Sequence, residues 1–66
     1  MYSADITKLL KKNNVTLGDL VKVTSLQGEF EGIVMPHPSY GDPSILILKL
    51  DSGYNAGLRV SSLQLV

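Results

Sequence analysis

Apolar and polar residues follow two different periods along this chain of 66 residues. Near the amino terminus, Ile6, Leu9 and Leu10 have the i, i+3, i+4 spacing of one helix face. Ser3 or Asp5 can cap this helix, and lysines near its carboxyl end favour the helix dipole. We expect the helix to pack against the rest of the chain, because about two turns do not persist alone in water.

From Leu17 onward the period changes to two. Val21 and Val23 alternate with Lys22 and Thr24, which predicts a half-exposed strand. The other predicted strands are residues 29–35, 45–50, 54–58 and 61–66. Short strands joined by tight turns are typical of a small barrel.

Three of these strands carry further expectations. Gly32 lies inside the second strand, where a glycine marks a bulge, a bend or a close backbone approach, and we expect a strong bend there. Residues 45–50 are apolar on both faces, so we expect them to form the central strand, covered on both sides. Leu63 and Leu65 of the last strand share one face. Gly53, in the turn before the fourth strand, is free to adopt a positive φ.

The predicted fold is all-β with one short N-terminal helix. Five strands would form a small, partly open SH3-like or Sm-like barrel, with the helix plugging one open end. Residues 1–66 would be a single domain, with the helix at about 3–12 and the barrel at about 17–66. We expect this domain to be a fragment of a longer protein.

Composition narrows the function classes. Six basic and six acidic side chains cancel, so no net field attracts nucleic acid from a distance. There is no cysteine, which excludes disulfides and thiolate metal sites. The longest apolar run has four residues, far short of the ~20 that span a bilayer. We therefore expect a soluble, cytoplasmic protein without membrane contact.

Few residues offer chemistry. His37 is the only histidine, and no nucleophile pairs with it and Asp42, so we interpret it as an ordinary exposed loop histidine. Glu29 and Glu31 could do acid–base work, but a solvated strand edge explains them more simply. The lysines that could form a modest basic patch, more simply read as a solvated helix end, are Lys8, Lys11, Lys12 and Lys22. We predict no catalytic residue, no metal site and no cofactor.

One group of residues has the composition of an interface. Turn and loop residues that combine apolar area with few charges are Met35, Pro36, His37, Tyr40 and Tyr54. We predict that they dock on another domain or another polypeptide of a complex. The alternative is that Met35 and Tyr54 complete the core of the domain itself.

Three motifs resemble a known family. Residues 18–23 read Gly-Asp-Leu-Val-Lys-Val, residues 31–36 read Glu-Gly-Ile-Val-Met-Pro, and residues 49–57 read Lys-Leu-Asp-Ser-Gly-Tyr-Asn-Ala-Gly. Together they resemble the amino-terminal domain of the asparaginase-like D subunit of archaeal glutamyl-tRNA(Gln) amidotransferase. Ser52 and Ala56 depart from the family pattern, which commonly has asparagine and a branched apolar residue there.

The resemblance implies a function for a longer parent protein. That protein would release ammonia from glutamine or asparagine, and a sister subunit would use it to form glutaminyl-tRNA(Gln). No catalytic residue of the amidase falls within this chain, so the domain would be a non-catalytic accessory module. Its partners would be its own amidase domain, the sister subunit or a second D subunit, without direct tRNA contact. The alternative is a stand-alone SH3-like or Sm-like module that binds RNA or a peptide.

Overall fold

One helix precedes the sheet in the part of the chain that the structure describes. The computed structural model describes residues 1–38 and 40–66, and helix α1 spans Ala4–Lys12. Ser3 is its N-cap, with the hydroxyl oxygen accepting a hydrogen bond from the Ile6 backbone N–H at 3.3 Å. At the other end, the Asn13 side-chain amide donates to the Leu9 carbonyl oxygen at 2.9 Å. Both helix ends therefore have side-chain partners for free backbone groups.

Five antiparallel strands form one sheet. They are β1 Leu20–Ser25, β2 Gly28–Val34, β3 Leu46–Lys49, β4 Asn55–Leu58 and β5 Val60–Leu65. The strands lie in the order β4-β3-β2-β1-β5, so β4 and β5 are the two edges and the sheet is open. This confirms the predicted all-β fold with a short N-terminal helix and a partly open sheet of five strands.

The position predicted for β3 is wrong, because β2 and not β3 is the central strand. Leu46 and Leu48 of β3 are fully buried, whereas Ile45 and Ile47 are half-buried. The outward isoleucines lie over Gly57 of β4: a Cβ added to Gly57 would be 3.0 Å from Ile45 Cγ2. The isoleucines thus occupy the space that Gly57 leaves without a side chain, and the sequence pattern cannot distinguish such packing from a central position.

The core lies between the inward face of the sheet and the helix. Its largest fully buried side chains are Leu46, Leu48, Val21, Val23 and Val34. Ile6 and Leu10 of α1 belong to the same buried cluster, as does Val15 after the helix. The helix is therefore held by the burial of its apolar face, at roughly 25 cal/mol per Å² removed from water.

Gly32 lies where the backbone of β3 leaves no room for a side chain on β2. The two strands pair as Ile33 with Lys49 and Val34 with Leu48. A Cβ added to Gly32 would lie 2.6 Å from the Lys49 carbonyl oxygen, which is closer than real Cβ contacts. Of the roles expected for this glycine, close backbone approach is the one that the contact distances support.

Strand β5 does not keep a single register with β1. Thr24 pairs with Ser62 but Ser25 pairs with Val60, so the ladder shifts by one residue between them. Leu63 is buried, whereas Leu65 on the same face is 46% exposed. Leu63 pairs with Val23 and Leu65 pairs with Val21, which confirms that the two leucines share the inward face. Only Leu63 is buried there.

The turn between β3 and β4 has the predicted glycine geometry. Gly53 has a φ of 88°, in the left-handed region that favours glycine. Its N–H donates to the Leu50 carbonyl oxygen at 2.8 Å, and the Leu50 N–H donates to the Tyr54 carbonyl oxygen at 2.9 Å. These bonds fix Tyr54 directly after the turn, opposite Leu50.

Among the residues described here, no helix has the length and apolar content needed to cross a membrane.

Candidate interaction surface

The hydroxyl of Tyr2 is inserted between β3 and the end of β2. It donates to the Met35 carbonyl oxygen at 2.7 Å and accepts from the Ile47 N–H at 3.0 Å. The Met35 N–H donates directly to the Ile47 carbonyl oxygen at 3.0 Å. The phenol therefore replaces the second hydrogen bond that an antiparallel pair makes directly.

Burial of the Tyr2 ring raises the pKa of its phenol above the ordinary value of 10.0. The hydrogen bond from the Ile47 N–H opposes this shift, because it favours the ionised oxygen. A neutral phenol is the form that can donate to Met35 and accept from Ile47 at once. Tyr2, which precedes the helix, thus joins the loop after β2 to β3. Sequence periodicity does not indicate this role.

His37 is tied into the loop between β2 and β3 and is not simply exposed, which corrects our interpretation of it. Its ring packs edge-on against Tyr2, with centroids 5.0 Å apart, and it is only partly accessible. Its Nε2 lies 2.8 Å from the Asp42 carbonyl oxygen and its Nδ1 lies 2.7 Å from the Pro38 carbonyl oxygen. These contacts make His37 a structural residue of the loop.

Asp42 organises the carboxyl end of the same loop. Its carboxylate accepts from the Ser44 hydroxyl at 2.7 Å and from the Ser44 N–H at 2.9 Å. These hydrogen bonds, helped by Arg59 and His37, hold the pKa of Asp42 below its usual value. Arg59 Nη2 lies 3.6 Å from the other carboxylate oxygen, but both side chains are about half exposed, so this pair adds little stability.

The five predicted interface residues fall into two places. Met35, Pro36, His37 and Tyr40 lie in the loop that the amino terminus holds, whereas Tyr54 lies beyond the opposite end of β3. Tyr40 is 80% exposed and Tyr54 is 68% exposed. Met35 is half-buried and Pro36 is exposed. The alternative in which Tyr54 completes the core requires burial that Tyr54 does not have, and the docking role of the five residues stays a prediction.

The carboxylates and lysines of the sheet lie on its outward face. Glu31 pairs with Lys22 across β2 and β1, and Glu29 pairs with Thr24. A shallow open groove on this face is lined by Lys22, Thr24, Glu29, Ser62, Leu63 and Gln64. Within residues 1–38 and 40–66, no three His, Cys, Asp or Glu side chains are placed to hold a metal ion. The outward face of the strands is therefore largely a solvated polar surface.

Comparison with known protein families assigns the domain. The family model described as the GatD N-terminal domain matches residues 15–66. The chain belongs to this family. The match covers the whole sheet and leaves out helix α1 together with the Tyr2 segment.

Three relatives of this GatD N-terminal domain carry the name of the D subunit of glutamyl-tRNA(Gln) amidotransferase. The chain is 42% identical over 59 residues to that of Methanosphaera stadtmanae, covering 89% of this chain and 14% of the relative. It is 39% identical over 69 residues to that of Thermofilum pendens, covering 98% of this chain and 15% of the relative. For Sulfolobus acidocaldarius the identity is 38% over 63 residues, or 96% of this chain and 14% of the relative. The chain thus spans only 14–15% of the length of these relatives.

Proposed function

We propose that this GatD N-terminal domain is a non-catalytic accessory domain of a glutamyl-tRNA(Gln) amidotransferase D subunit. The observation that carries the proposal is the family match over residues 15–66, from a chain that spans only 14–15% of the matched proteins. In the full-length form, asparaginase-type hydrolysis of glutamine would supply ammonia for the synthesis of glutaminyl-tRNA(Gln). That activity would reside in the part of the D subunit that lies outside this chain.

The engagement of the titratable loop residues supports a binding role over a catalytic one. Both ring nitrogens of His37 face carbonyl oxygens of its own loop, and in the neutral ring one of them donates its proton there. A general base needs a nitrogen that can reach a substrate or a nucleophile. The carboxylate of Asp42 is likewise occupied by Ser44. These groups serve the loop conformation.

The loop between β2 and β3 is the surface that we propose for docking, with Tyr54 as a second contact. Tyr2 and His37 hold the loop through a hydrogen-bonded phenol and an edge-on ring contact. Loop residues that such contacts already hold lose less conformational entropy on binding, which favours their use in docking. Tyr40 and Tyr54 offer exposed aromatic area, the side-chain type that is enriched in interfaces.

The partners that we propose are the amidase domain of the same polypeptide, the sister amidotransferase subunit and a second D subunit. All would meet the domain in the cytoplasm. The open sheet with order β4-β3-β2-β1-β5 also supports, in our proposal, a relationship to SH3-like and Sm-like barrels.

A titration followed by NMR tests the proposal. The ¹⁵N-labelled 66-residue chain is mixed with the Methanosphaera stadtmanae D subunit from which its own matching segment has been deleted. We expect amide shifts in the chain, including those of Met35, Tyr40 and Tyr54. Amide shifts detect weak association, which is the expected regime when an interface within one polypeptide is split into two molecules.

A titration of the same labelled chain with tRNA at physiological salt distinguishes the accessory domain from the alternative, an RNA-binding module. Zero net charge predicts binding weaker than micromolar, because non-specific affinity depends on several neutralised phosphates. Micromolar or tighter tRNA binding, without any shift on addition of the truncated D subunit, would overturn the accessory role in favour of an RNA-binding module.

A further inference from the structure

We propose that an outward row of three apolar side chains, Ile33, Leu20 and Val66, is the surface covered by the polypeptide that follows this domain in a full-length GatD protein. We call these three residues the apolar row. The inference rests on the proposed function, since it assumes that the domain is joined to the rest of that protein. It concerns a different surface from the loop between β2 and β3.

Strand pairing places the apolar row side by side on the face of the sheet opposite the core. Leu20 of β1 pairs directly with Ile33 of β2. The Val66 N–H donates to the Leu20 carbonyl oxygen at 3.2 Å, which continues the β1–β5 pairing by one residue. Directly opposed residues of antiparallel strands point to the same face. Leu20 and Ile33 are each 40% exposed, and Val66 is 69% exposed.

On β3 the apolar row ends at Lys49, which pairs with Ile33, and the next rows on one side of it are polar. Glu31, Lys22 and Gln64 form the next row across β2, β1 and β5, and Glu29, Thr24 and Ser62 form the one after. Each of these six side chains is exposed. The apolar row is therefore a local departure from the inward-apolar, outward-polar alternation of a solvated antiparallel sheet. Single exposed apolar residues need no explanation, whereas adjacent exposed apolar residues are typical of interaction surfaces, which is the basis of our inference.

The family description and the length of the relatives support this choice of occupant. The matched family is described as an N-terminal domain, and the matched proteins are far longer than this chain, which covers 14–15% of them. In such a protein the polypeptide continues directly from the apolar row. A following segment that packs there needs no long linker, so its effective concentration at the row is high.

Side-chain footprinting by hydroxyl radicals tests this inference. The isolated 66-residue chain is compared with a hybrid in which the chain replaces the matching segment of the Methanosphaera stadtmanae D subunit. We expect oxidation of Leu20 and Ile33 to fall at least about threefold in the hybrid, because a packed segment excludes the radical-bearing water from an apolar surface. Leu26, which is 78% exposed at the tip of the β1–β2 hairpin, should be labelled equally in both proteins. Val21, which is fully buried, should stay unlabelled in both and so report that the domain is folded.

Each other outcome contradicts the inference in a different way. Unchanged labelling of Leu20 and Ile33, with protection of Met35 and Tyr54, would overturn it and leave the proposed function standing. Unchanged labelling of all four residues would overturn both. Protection of Leu20 and Ile33 in the isolated chain at high concentration, accompanied by a dimer in sedimentation, would assign the apolar row to a second copy and overturn our choice of occupant.

Discussion

The backbone of β3 leaves no room for a side chain at Gly32. Because an added Cβ would lie 2.6 Å from the Lys49 carbonyl oxygen, relief requires the two strands to move apart. We expect Gly32→Val to lower the free energy of unfolding by about 3 kcal/mol, in the upper range for overpacking. Gly57→Val is the matched control, since Gly57 lies on the edge strand β4 and its added Cβ meets only isoleucine side chains and no backbone atom within 4 Å. Urea denaturation measures both, and an unchanged midpoint for Gly32→Val would refute the close approach.

Tyr2 gives a second prediction at the scale of one residue. Tyr2→Phe keeps the ring but leaves the Met35 carbonyl and the Ile47 N–H without the inserted hydroxyl. We expect a loss of about 1–3 kcal/mol in the free energy of unfolding, the usual cost of unsatisfied buried groups. Tyr54→Phe removes a hydroxyl from a side chain that is 68% exposed, and it should change stability little. Equal effects of the two substitutions in thermal unfolding would exclude the bridging role.

The raised pKa of Tyr2 predicts how this contribution depends on pH. A phenol whose pKa is higher in the folded protein stabilises the fold fully below the unfolded value of 10.0, and this stability is lost as pH rises through the folded pKa. Tyr2→Phe has no phenol to ionise. The stability difference between the wild-type chain and Tyr2→Phe should therefore be constant near neutral pH and shrink above pH 10.0. If urea titrations showed that the stability difference widens above pH 10.0, the pKa of Tyr2 would not be raised by folding.

Sequence reasoning succeeds and fails among these residues for clear reasons. A glycine inside an alternating strand is visible in the sequence, so a special role for Gly32 could be predicted. The hydrogen bonds of Tyr2 join residues 33 and 45 positions apart, and no local period encodes such a contact. The structural role of His37 escapes prediction for the same reason, because its partner ring is Tyr2.

The N-cap of helix α1 gives a prediction at the scale of one element. Ser3 caps α1 through its hydroxyl oxygen, so Ser3→Ala should cost about 1 kcal/mol in the free energy of unfolding. Ser3→Asp should restore most of that loss, because a carboxylate accepts the same bond and favours the helix amino terminus. The backbone bond from the Ser3 N–H to the Pro43 carbonyl oxygen is available to both variants. A Ser3→Asp variant no more stable than Ser3→Ala in chemical denaturation would contradict the capping role.

The strands could be predicted in number and type but not in every position. Alternation in β1 and β2 identifies an inward face, which the buried Val21, Val23 and Val34 confirm. The same logic misplaces β3, because the outward isoleucines Ile45 and Ile47 pack over a glycine of the edge strand β4. In β5 the register shift beside Ser25 cannot be anticipated from the pattern of β5 alone. The local period of apolar residues shows which face of a strand is buried. Which strands lie beside it depends on pairing across the sheet.

At the scale of the whole molecule, the family could be recognised from sequence but the arrangement of the surface could not. The motifs at residues 18–23 and 49–57 lie in strands and turns that fix the fold, and the family match over residues 15–66 confirms the resemblance. The separation of Tyr54 from the loop between β2 and β3 depends on the direction of β3, which composition does not reveal. The apolar row likewise appears only when the pairing of β1, β2 and β5 is known.

The most direct test of a non-catalytic accessory role is the release of ammonia from glutamine. Three proteins are compared: the isolated chain, the Methanosphaera stadtmanae D subunit without its matching segment, and the hybrid that carries this chain in its place. We predict no release by the isolated chain above a heat-treated control, and higher activity in the hybrid than in the truncated protein. Ammonia release by the isolated chain, or a hybrid no more active than the truncated protein, would contradict the account.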